Sequence, residues 1–132
     1  MFCLDTNVII DATSTKNRHI LSHFIEVDPN EIVIPAIVVA ELEYGARHSR
    51  DYQGNISIIR DFIAPYRIVP FYEREAVAYG KIRQQLTADG KIIGANDMLI
   101  AATALAHNAT VVTHNIKEFS RVSGVDLIDW IL

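Results

Sequence analysis

In Phe2-Cys3-Leu4-Asp5-Thr6-Asn7, three apolar residues are followed by a carboxylate and two small polar residues. The apolar triplet reads as a strand, and Asp5-Thr6-Asn7 as a turn and helix cap. Asp5 thus stands at the carboxyl end of a strand. Short apolar runs separated by longer amphipathic ones recur down the chain. Further strands are predicted at 31–34, which stops at Pro35, and at 67–71, after the Ala64-Pro65-Tyr66 break. A fourth is predicted at 110–113, after the Asn108-Ala109 turn, and a short fifth near 126–128. Helices are predicted at 17–26, 36–48, 52–63, 72–88 and 96–107, with one more turn near 116–120. Strands alternating with helices specify an α/β fold: a three-layer α/β/α sandwich around a central, mainly parallel sheet of four to five strands. Such sheets bind ligands outside the carboxyl ends of their strands. That rule directs attention to Asp5 and to Thr113-His114-Asn115.

The 132 residues are the size of one domain, taken as 1–132, and half of them are hydrophobic. A chain this apolar buries a core, which excludes a disordered protein. Its apolar stretches are too short and too interrupted to span a membrane. No basic, hydrophobic leader precedes Asp5, so a cytoplasmic location is expected. Cys3 is the single cysteine, which excludes an intrachain disulfide and suits a small core residue. Sixteen acidic residues against twelve basic ones give a formal charge of −4. That balance argues against coating nucleic acid by phosphate neutralisation alone. It is compatible with an enzyme that meets phosphate through bound cations.

Three carboxylates stand out. Asp5 is either a helix cap or a ligand at the sheet rim. Glu41 shares a helix face with Ile37, Val38, Tyr44 and Gly45, a mostly apolar face, so it is expected to point inward. Glu43 lies on another side, spaced i,i+4 from Arg47, and reads as a solvated ion pair. Asp97 opens the most apolar helix of the chain and is either a cap or a site residue. An inward carboxylate needs a proton, a basic partner or a metal. Three of them at one rim repel by on the order of 4 kcal/mol per pair about 4 Å apart at an effective dielectric near 20. A divalent cation relieves that crowding, and hard oxygen ligands select Mg²⁺ or Mn²⁺ over Zn²⁺. The histidines form no HExxH motif. His114 is either a phosphate contact or an exposed loop imidazole.

With Asp5-Thr6-Asn7 after the first strand, Glu41 in a V-x-x-x-E-L-x-x-G-A-like stretch, the I-G-x-x-D-x-L-I-A run from Ile93 to Ala101 and V-V-T-H-N-I-K-E-F from Val111, the chain resembles PIN-domain proteins. Its length and its Gly124-to-Trp130 ending resemble the VapC toxins of bacterial toxin–antitoxin pairs. The resemblance covers essentially the whole chain and rests on the order and spacing of the motifs together. It implies an endoribonuclease dependent on Mg²⁺ or Mn²⁺ that cuts RNA, including tRNA. Around Thr113-His114-Asn115 the chain is similar to a branch that cuts initiator tRNA in the anticodon stem-loop. A homodimer and a cognate VapB-type antitoxin, whose C-terminal segment enters the active-site groove, are implied as well. By matching motifs, Asp5, Glu41 and Asp97 carry over as metal ligands, and Thr6 and Asn7 as neighbours that hold the site in shape, with Thr113 at the same rim. Many relatives have a fourth acidic residue where this chain has Asn115. The amide oxygen of Asn115 can ligate without charge, and Glu118 can compensate, which leaves one or two metals open.

The expected reaction is hydrolysis of an RNA phosphodiester, with Arg47, Arg50, Lys81, Arg83 and Lys91 as candidate guides for the backbone. A haloacid-dehalogenase-like phosphatase would show D-x-D-x-T, but position 7 is Asn. A receiver domain would place a Lys at a late strand end, where this chain has His114-Asn115. A binding-only PIN-like module would have no need to keep mutually repelling acids.

Overall fold

The computed structural model describes residues 1–14 and 19–131. Among them are five strands: β1 (Phe2–Leu4), β2 (Ile32–Pro35), β3 (Arg67–Val69), β4 (Thr110–Val112) and β5 (Leu127–Ile128). Seven α-helices flank them: α1 (Thr6–Thr13), α2 (His19–Glu26), α3 (Ala36–His48), α4 (Tyr52–Ile63), α5 (Glu73–Ala88), α6 (Ala95–Ala106) and α7 (Ile116–Phe119). The sheet runs in the order β3-β2-β1-β4-β5, and every neighbouring pair is parallel. This is the α/β/α sandwich that the alternating pattern specifies.

The strands are apolar on both faces because both faces are covered. Cys3 and Leu4 of β1, Ile32, Val33 and Ile34 of β2, and Val111 and Val112 of β4 are fully buried. α3 packs on β2 and β3, while α6 packs on β1 and β4. β3 is an edge strand and leaves Ile68 exposed. An aromatic cluster closes one flank. Trp130, 2% exposed, stacks on His23 and meets Phe24 edge-on, with Phe2 of β1 beside it.

The strand order decides where a site forms. From β1 the chain moves to β2 and β3 on one side, then returns to place β4 on the other. The crossovers therefore diverge outside the carboxyl ends of β1 and β4, which opens a crevice there. Leu4 is in register with Val112, so Asp5 and Thr113 emerge side by side into that crevice.

Three expectations needed correction. Residues 6–13 form a full helix, α1, where the sequence suggested only a turn and cap. Val8, Ile9 and Ala12 bury against the core, and tertiary packing outweighs the weak helix propensity of a β-branched run. The second strand begins at Ile32, because Pro29–Glu31 is a short 3₁₀ turn capped by Asp28. The third and fourth strands stop at Val69 and Val112, two residues and one residue early. The predicted helix over 17–26 is observed from His19, and its first two residues lie outside the described residues.

Candidate active site

Asp5 combines both roles that its sequence context allowed. It is the N-cap of α1, and its Oδ1 accepts a 2.7 Å hydrogen bond from the Thr6 backbone N–H. Its Oδ2 accepts a 2.8 Å bond from the Thr113 hydroxyl. Its own N–H continues the sheet to Val112 O. The side chain is 5% exposed, and burial pushes its pKa up. The two hydrogen bonds oppose that rise, and the charge of Glu41 adds to it.

Thr113, fully buried, is the hub of this corner. While its hydroxyl donates to Asp5, its Oγ1 accepts the Asn115 N–H at 2.9 Å. The turn into α7 is thereby locked to the first strand. Asn115 sits half-buried at the N-cap position of α7, and its side chain caps nothing.

Glu41 is not driven into the core. The buried stripe of α3 is Val38, Leu42 and Ala46, while Tyr44 and Gly45 face outward. Glu41 lies between these faces, half-buried, and its Oε1 accepts a 2.7 Å bond from the Thr6 hydroxyl. Thr6 therefore touches both acids, one through its backbone and one through its side chain. Asn7 is exposed, and its amide makes no hydrogen bond among the described residues.

Asp97 does not cap α6, because Gly94 holds that position and Asp97 is the third helical residue. A carboxylate in a first helical turn is normally favoured by the dipole. Here the reverse wins, and the pKa is pushed up to about 6. Burial is the largest cause, followed by the charges of Asp5, Glu118 and Glu41. Carboxylates from α1's cap, α3 and α7 thus lie within electrostatic reach of Asp97 on α6. Among the described residues no three His, Cys, Asp or Glu side chains form a ready-made metal cage.

A second buried acid shows the contrast. Glu75, 3% exposed, accepts from the Tyr72 N–H and from Arg74, with His107 at 3.8 Å. Those partners hold its pKa below the usual range, the backbone bond contributing most. Glu75 is a satisfied carboxylate that ties α5 to α6. Asp97 is half-buried and has only acids among the charges that act on it.

The candidate cations divide. Arg47 is engaged by Glu43 at 2.9 Å, as the i,i+4 spacing predicts, and lies over the Tyr52 ring. Arg83 bonds the Tyr79 hydroxyl. Arg50, Lys81 and Lys91 are exposed and form no ion pair among the described residues. His114 is exposed but not idle, since its Nδ1 lies 2.8 Å from Asp129 Oδ2. Sequence reasoning missed Asp129, Tyr44 and Asn96. A tyrosine one turn from Glu41 was the available signal for Tyr44.

The order of these residues along the chain matches a known family model, described as PIN domain, over residues 2–125. The chain belongs to the PIN-domain family. Ribonuclease VapC2 of Rickettsia felis is 39% identical, over 98% of this chain and 98% of its own. The tRNA(fMet)-specific endonuclease VapC of Salmonella typhimurium is 33% identical, over 98% and 97%. The crystal structure of VapBC2 from Rickettsia felis bound to a DNA fragment from their promoter superposes with a TM-score of 0.91. It is 36% identical, covering 98% of both chains. PIN-domain ribonucleases in general depend on a divalent metal. An all-oxygen set of crowded carboxylates fits that requirement.

Proposed function

We propose that this PIN-domain chain is the toxin of a bacterial VapBC-type toxin–antitoxin pair, an endoribonuclease that hydrolyses RNA phosphodiesters with Mg²⁺ or Mn²⁺. The observation that carries the reading is a corner where Thr6 bonds both Asp5 and Glu41 and where Glu41 and Asp97 line one cleft. A fold keeps such a destabilising cluster when a divalent cation offsets it.

Asp5, Glu41 and Asp97 would hold the cation through carboxylate oxygens. Thr113 and Thr6 fix Asp5 from both sides, and Thr6 also fixes Glu41. Such outer bonds keep ligands in one orientation. Asn115, held by Thr113, offers a neutral oxygen, and Glu118 supplies the fourth negative charge. When bound, the metal supplies Lewis acidity to a phosphoryl oxygen and lowers the pKa of an attacking water.

tRNA is the substrate class, with initiator tRNA first to test, because one relative carries that specificity in its name. An apolar groove runs beside Glu41, lined by Ile10, Leu42, Ala46, Ile58 and Ile59. It is the seat for an antitoxin segment, in keeping with relatives solved as VapBC complexes. The reading includes a homodimer acting in the cytoplasm; no helix among the described residues is long and apolar enough to cross a membrane.

Purified protein should nick tRNA with Mg²⁺ or Mn²⁺ and stop on addition of EDTA. Asp5→Ala should abolish cutting while circular dichroism stays that of a folded α/β protein. A variant that cuts as well as the parent would overturn the assignment.

A further inference from the structure

Tyr44 is 68% exposed on the outer side of α3. Its ring stacks on His48 one turn later, with centroids 5.7 Å apart and planes 18° from parallel. The pair forms a two-ring ledge on the outer side of α3. The ledge borders a cleft of about 510 Å³, within the size range of small-molecule pockets. Thr6, Asn7, Glu41 and Asn96 line the same cleft with the apolar Ile10, Ile37 and Ala40. The lining thus joins one aromatic ring, a carboxylate and the two exposed amides of Asn7 and Asn96.

We propose that Tyr44, backed by His48, is a stacking platform for one unpaired RNA base next to the phosphate to be cut. The proposal rests on the ribonuclease reading and deepens it by naming the substrate feature recognised. An aromatic face accepts any base, and single-stranded RNA is held by such stacking. Asn7 and Asn96 can donate to and accept from the edge of the stacked base, as amides do. A formal charge of −4 leaves little general attraction for phosphate, so contacts to the base carry more of the binding. A paired base, covered on both faces by its neighbours, has no face to offer the ledge. Tyr44 is a positioning residue and touches no reacting atom.

The test uses the full chain and an RNA hairpin carrying 2-aminopurine at successive loop positions. Its fluorescence is quenched when the base stacks. Binding is measured in EDTA by anisotropy, and cutting with Mn²⁺. Parent and Tyr44→Phe should quench the probe at one loop position and bind alike. Tyr44→Ala should lose the quenching and bind about 5- to 100-fold more weakly, the range expected for one stacked base. The effect on cutting should fall on KM rather than kcat, and Mn²⁺ affinity by calorimetry should not change. An exposed site makes misfolding of the alanine variant improbable, and Tyr44→Phe separates ring from hydroxyl. The proposal is overturned if Tyr44→Ala quenches and binds like the parent, or if Tyr44→Phe loses as much as Tyr44→Ala. It is also overturned if RNA binding is unchanged while rescue by the cognate antitoxin is lost, which would assign the ledge to the protein partner. Failure of the parent to cut any RNA with any divalent ion would instead remove the ribonuclease reading itself.

Discussion

Replacing Asp97 with Asn should stabilise the metal-free protein. The carboxyl is held at about 6, above its ordinary 3.8. The folded state therefore holds a proton more tightly than the unfolded chain. Stability from that proton is fully present below about pH 4 and is lost as the pH rises through 6. A shift of about two units corresponds to about 3 kcal/mol between the two charge states. Asp97 is only half-buried and lies in a first helical turn, so screening and the dipole reduce this to roughly 1–2 kcal/mol. Asn has nearly the same shape and no charge, so the whole penalty is removed at pH 7. With about 2–4 °C per kcal/mol for a chain near this size, Tm in EDTA should rise by roughly 2–8 °C. The assay is thermal unfolding of parent and variant in EDTA at pH 4 and pH 7. The gap should be present at pH 7 and close at pH 4. Adding Mn²⁺ should narrow or reverse the gap, because the folded parent, with one more negative ligand, binds the ion more tightly and gains more stability from it. A variant no more stable than the parent at pH 7, or a gap unchanged between the two pH values, would refute the electrostatic reasoning.

Thr113→Val keeps the shape but removes the hydroxyl that donates to Asp5 and accepts from Asn115. It should lower kcat/KM by about 10- to 100-fold and stability by about 1–3 kcal/mol, measured by RNA cleavage and urea unfolding. Glu118→Gln removes one negative neighbour of Asp97, so the Asp97 pKa, followed by carboxyl NMR, should move down towards 3.8. An unmoved value would exclude Glu118 from the cluster.

The alternation of apolar and amphipathic runs made the α/β class legible, and the position of Asp5 after a strand pointed to the end of the sheet where Thr113 meets it. Strand order was not legible, because it depends on which apolar runs pair, a long-range choice that no local pattern encodes. The same limit hid α1, whose Val8-Ile9-Ile10 run is stabilised by the core rather than by propensity. Helical-wheel reasoning placed Glu41 on the right flank of α3 but overestimated its depth, because Tyr44 and Gly45 face the solvent instead of the core. Asp97 was legible as a first-turn acid, whereas its elevated pKa depends on Asp5 and Glu118 being near in space. Arg47 looked available in sequence and is occupied by Glu43 and Tyr52.

The hydrogen bond from Thr113 to Asp5 joins residues 108 positions apart. No local folding event can form it, since β1 must wait for β4 to be made and to dock beside it. Long-range parallel pairing of this kind is slow and comes late. A nascent chain still short of β4 therefore holds Asp5 without its anchor. On the ribonuclease reading, half-made molecules would stay harmless to the cell that synthesises them until the sheet is finished.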